Sequence, residues 1–170
     1  MDSWHTNRLS AQQAKLVETW LPGVQLVSDL SWDLSDTAVL EVESGQRRHI
    51  VKAGGPANHH IGREMRAHQS WVHVLSLQNR APRLVHADGP ANVLVSEYLE
   101  GCVVEGMDAE YAAETYVQAG ALLRAFHDQD VRRDADYEAA ATAKALAWLE
   151  EPHRIKESAA DGARAILSAC

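Results

Sequence analysis

The residues best equipped for chemistry are Lys52 and Glu64. Lys52 ends the short apolar run His49-Ile50-Val51-Lys52, and Glu64 follows the break Gly54-Gly55-Pro56 inside a stretch of helical periodicity. A lysine ammonium is a compact point charge on a flexible stem, suited to gripping anionic oxygens such as those of phosphate. A carboxylate beside it would order that stem. Glu64 lies between Ile61 and Met65, two members of an apolar stripe. It therefore projects from the edge of that stripe and can turn toward the sheet on which the stripe packs. His59, His60 and His68 have neither a cysteine nor further carboxylates to complete a metal shell, so packing or surface roles are expected of them. Cys102 and Cys170 lack an activating context and read as inert.

These two residues need a sheet and a helix to hold them. Ser10 followed by Gln13 is a capping-box pattern, and Ala14, Val17 and Leu21 recur at helical spacing up to Pro22-Gly23. The period then becomes that of strands: Leu26-Val27, a polar break from Asp29 to Asp36, Thr37 to Val42, a turn at Ser44-Gly45-Gln46, and His49 to Lys52. Asn58 can cap the next helix, expected to run to about Leu75 with Ile61, Met65, Val72 and Leu75 as its buried stripe. Leu84-Val85 and Val93-Leu94-Val95, joined by Asp88-Gly89-Pro90, read as a second hairpin. From Tyr111 the pattern is helical, with Ala112, Tyr116, Ala119, Leu123 and Phe126 on one stripe. An alanine-rich helix from Asp134 to Glu151 follows, and another from Ile155 to Leu167 after Pro152. The expected class is α+β: a five-stranded antiparallel sheet with one helix inserted, then helices only. The change in composition near Gly101 predicts one lobe over residues 1–100 and a helical one over 101–170.

Composition removes several classes of function. An apolar fraction of 46% excludes a mostly disordered chain. A net charge of −8 with dispersed acidic residues lacks the electrostatic footprint of a nucleic-acid binder, so neither DNA nor RNA is expected as a partner. The start, Met1-Asp2-Ser3-Trp4-His5, has no signal-peptide pattern, and no apolar stretch approaches the roughly 20 residues that span a bilayer. A cytoplasmic protein without a membrane partner is expected.

The phrases Ile50-Val51-Lys52, Val93 to Gly101 (VLVSEYLEG) and Leu122-Leu123-Arg124-Ala125-Phe126-His127 together resemble the aminoglycoside phosphotransferase family, which has a protein-kinase-like fold. The resemblance covers about Leu26 to His127, the amino-terminal lobe and the first helices of the next. It implies that Lys52 bridges the α- and β-phosphates of ATP, with Glu64 as its ion-pair partner. Backbone groups of Glu97, Tyr98 and Leu99 would line the adenine edge, Val51 and Leu94 would help sandwich the ring, and Ser35 would stand in the phosphate-covering loop. That loop has no glycine and carries Asp33 and Asp36, a departure that leaves a plain hairpin loop as the alternative.

The resemblance further implies ATP and Mg2+ as cofactors and a small molecule with a hydroxyl as acceptor. His86, Asp88 and Asn92 superficially copy a kinase catalytic loop. Only three residues separate Asp88 from Asn92 where that loop has four, and the segment precedes the adenine linker, so a hairpin turn is expected. The family's catalytic loop and metal ligands are absent from this chain, which reads as the nucleotide-binding part of a phosphotransferase, inactive by itself. The alternative is a non-catalytic kinase-like binding module or truncated relative. Apolar stripes between Tyr111 and Leu167 predict association with another copy or with a missing carboxy-terminal segment.

Overall fold

Five strands pair in the order β1-β2-β3-β5-β4 in a computed structural model of the chain, whose described residues are 4–32 and 36–169. They are β1 (Gln25–Asp29), β2 (Ala38–Ser44), β3 (Arg47–Ala53), β4 (Leu84–Asp88) and β5 (Val93–Glu97), and every neighbouring pair is antiparallel. Helix α1 (Ala11–Trp20) precedes the sheet. Between β3 and β4 come α2 (His59–Ser70) and the single turn α3 (His73–Ser76), so that β5 returns beside β3. The expected α+β class, with its five-stranded antiparallel sheet, is observed.

Period-two alternation in β2, β3 and β5 gives the sheet two buried faces. On one, Leu40, Val42, Val51, Val93 and Val95 are wholly buried against Ala14 and Val17 of α1. On the other, Leu94 is wholly buried against Ile61 and Met65 of α2, with Leu84 packed alongside. Each fully buried side chain of this size contributes about 1.5–3 kcal/mol of transfer free energy.

Both expected caps are present. Ser10 and Gln13 form a reciprocal capping box on α1, and the Asn58 side chain accepts from the N–H groups of His60 and Ile61 at the start of α2. Helix α2 stops short of the expected Leu75. The N–H groups of Trp71 and Val72 both donate to Ala67 O, at 2.8 and 2.9 Å, and this wide turn ends the ladder. Leu75 consequently belongs to α3, and Val72 lies in the break.

After β5 come α4 (Asp108–Tyr111) and α5 (Ala113–His127), separated by the extended backbone of Ala112. Two compact units divide the chain, one up to Gln129 and one from Asp130. The change from strands to helices therefore falls inside the first unit, where α5 packs on α3 and Gln129 Nε2 donates to Trp71 O at 2.9 Å. The second unit pairs α6 (Tyr137–Glu150) with α7 (Glu157–Leu167). Arg164 ties it together through Glu150, Glu157, Asp161 and the Leu149 carbonyl.

Candidate functional site

Strand alternation decides which side chains share a face with Lys52. Lys52 pairs in register with Val39 on one side and Leu94 on the other, and Ile50 pairs with Glu41 and Ser96. All of these lie on the face covered in part by α2. The burial of Ile61 and Met65 over Leu94 seats that helix, and the Asn58 cap fixes where it begins. Glu64, one turn into α2, consequently reaches the strand. Lys52 Nζ donates to Glu64 Oε1 at 2.7 Å, with 30% and 31% of the two side chains exposed.

A third group joins this pair. His68 lies one turn beyond Glu64, its Nε2 is 3.9 Å from the same carboxylate oxygen, and its side chain is only 7% exposed. Burial holds its imidazole below the usual histidine range; Glu64 opposes that shift and Lys52 adds to it.

The remaining expected site residues are distributed differently. Val51 was expected beside a ring bound near Lys52, but it points to the opposite face and is wholly buried in the α1 core. Adjacent residues in a strand cannot share a face. Leu94 is on the right face but wholly covered by α2, so it supports the helix and offers no surface to a ligand. The half-buried residues beside Lys52 are Val39 and Ile50, which the same alternation identifies. Ser35 lies outside the described residues.

In the linker, the Glu97 N–H donates to Arg83 O at 2.9 Å and the Tyr98 N–H to Arg48 O at 3.2 Å, so both amides are spent within the sheet. Leu99 is the first linker residue whose amide has no acceptor among the described residues, and its side chain is exposed.

At the other end of β3, uncharged amides join three turns. Gln13 Nε2 donates to Gly54 O at 3.0 Å and Ala91 O at 2.8 Å. Asn92 Nδ2 donates to Gly55 O at 2.9 Å and Asn58 O at 2.8 Å, while Asn58 Nδ2 donates to Asp36 at 2.6 Å and Thr37 at 2.9 Å. Gly54 is needed there, because a Cβ would come within 2.7 Å of the Asn58 side chain. The segment from His86 to Asn92 is a hairpin, as expected. Asp88 accepts from Ala91 N at 2.7 Å, and His86 stacks on Trp20 with ring centroids 5.2 Å apart.

Among the described residues no group of three or more His, Cys, Asp and Glu could hold a metal ion, and no helix is long and apolar enough to cross a membrane. No protein-family model, curated protein or solved structure matches the chain.

Proposed function

We propose that this chain is the nucleotide-binding part of an ATP-dependent phosphotransferase with a protein-kinase-like amino-terminal lobe, acting on a hydroxyl of a small molecule as aminoglycoside phosphotransferases do. The observation that carries the reading is the 2.7 Å contact between Lys52 and Glu64 across a strand and the helix that follows it. A solvated surface lysine has no need of a partner fixed by a helix cap and two buried side chains. A lysine that must hold its ammonium against phosphate oxygens does, because an ordered stem lowers the entropy lost on binding.

The sheet order supports the same reading, with a helix inserted between β3 and β4 and β5 returning beside β3. Val39 and Ile50 offer apolar surface for the base on the same face as Lys52, and the Leu99 amide, which has no acceptor among the described residues, offers a donor to its edge. Magnesium would supply charge neutralisation at the phosphates. Among the described residues no group of three or more His, Cys, Asp and Glu could hold it, and Lys52 with Glu64 would grip the nucleotide and take no part in transfer.

The test is thermal unfolding with and without magnesium-ATP, in the wild type and in Lys52→Ala. A ligand present at about 100 times its Kd stabilises the folded state by roughly 2.7 kcal/mol. A rise in Tm that disappears in Lys52→Ala is expected. No rise in the wild type, or an equal rise in both proteins, would overturn the reading. Phosphate transfer is not expected of this chain by itself, so a Lys52-dependent rise reports the grip on nucleotide alone.

A further inference from the structure

On the face that carries Lys52, four residues earlier in β3, a second charged cluster meets the linker. Arg48 Nε donates to Glu41 Oε1 at 2.6 Å, and Nη2 of the same guanidinium bonds that oxygen too. Glu41 is only 6% exposed. A carboxylate that deep is costly unless paired, so Glu41 holds the guanidinium in one place. The guanidinium carbon lies 3.8 Å from the centroid of the Tyr98 ring, and Nη1 is 3.7 Å from Glu100 Oε1. The Tyr98 N–H donates to the Arg48 carbonyl at 3.2 Å. Arg48 thus touches the linker through its backbone, its planar face and its charge, while Glu41 fixes it from the sheet.

Resting on the nucleotide reading above, we infer that Arg48 is a positioning residue for base recognition: pinned by Glu41, it clamps Tyr98 and so holds the linker against β3 beside Ile50, where a purine edge would meet it. Lysine cannot substitute, because the clamp uses both the fork of donors and the flat face of a guanidinium. Lys52 and Glu64 are left untouched by the clamp. Arg48 should therefore govern the affinity for the base and leave the affinity for phosphates alone.

That separation can be measured on the full chain with two probes, magnesium-ATP and magnesium tripolyphosphate, by titration calorimetry. Tripolyphosphate carries the charge that Lys52 grips and no base. In Arg48→Ala and Arg48→Lys the Kd for magnesium-ATP is expected to rise about tenfold, equivalent to roughly 1.4 kcal/mol. The Kd for tripolyphosphate is expected to stay within about twofold of the wild type. Tyr98→Ala keeps the Glu41–Arg48 pair, and with it the fold, and should show the same split. Equal weakening of both ligands, or no change in either, would overturn the clamp while leaving Lys52-dependent binding in place. A wild type that binds neither probe would overturn the nucleotide reading and this inference with it.

Discussion

Replacing Glu64 by Gln tests the pair on which the site depends. The amide keeps the shape of the side chain but removes its charge, leaving the Lys52 ammonium about two-thirds covered without a counter-ion. A fully exposed ion pair contributes about 0.2–1 kcal/mol, and breaking a fully buried one costs about 3–5 kcal/mol. Exposures of 30% and 31% place this pair between those limits, nearer the first because water still reaches both groups. A coupling of about 1–2 kcal/mol follows. The assay is a double-mutant cycle of Glu64→Gln, Lys52→Met and the double variant, by urea unfolding at low ionic strength. Raising the salt to about 1 M, where the Debye length is roughly 3 Å, should reduce the coupling without abolishing it. A coupling below about 0.3 kcal/mol, within the error of additivity, would show that the ammonium and carboxylate do not meet in solution. Glu64 would then not order the lysine stem.

Leu94→Ala removes the side chain on which α2 rests and should cost about 2–5 kcal/mol in urea unfolding. Because that seat also delivers Glu64, the variant should lose magnesium-ATP binding under conditions where it remains folded; unchanged binding would separate the helix from the site. Burial holds the imidazoles of His49 and His68 below the usual histidine range. Between about 6.5 and the lower folded values the unfolded chain takes up protons that the folded protein refuses, so stability is full above about pH 6.5 and falls as the pH drops through that window. Urea midpoints at pH 7.5 and 5 should differ less in His49→Gln/His68→Gln than in the wild type, and an equal difference would refute the assignment.

What was legible in the sequence was local. The Ser10–Gln13 box, the Asn58 cap, the strand runs and the turn at Asp88-Gly89-Pro90 each carry their signal within a few residues, and each is where the pattern put it. Lys52 and Glu64 were legible because one ends a strand and the other edges an apolar stripe. The orientation of Val51 was equally available, since its neighbour Lys52 must point the other way, but a family phrase read as a block obscures that alternation. Leu94 could not be judged from the strand alone: whether it meets a ligand or a helix depends on where α2 crosses the sheet. The early end of α2 depends on Val72 reaching back to Ala67 instead of His68, a choice with no residue signature such as Gly or Pro at the break. Arg48 was missed because its partners, Glu41 and Tyr98, are distant in sequence and meet only once the strand register is set.

The two ends of β3 are secured by different forces. Beyond Ala53 the turns are joined mainly by the side-chain amides of Gln13 and Asn92, whose bonds to backbone carbonyls carry no net charge. At Arg48 the linker is held by ions, one of them, Glu100, with 82% of its side chain in solvent. Salt acts on the second kind of fastening and hardly on the first. The sheet therefore has an end that ionic strength can loosen and an end that it touches far less, and if a nucleotide binds as proposed, the loosened end is the one that would hold its base.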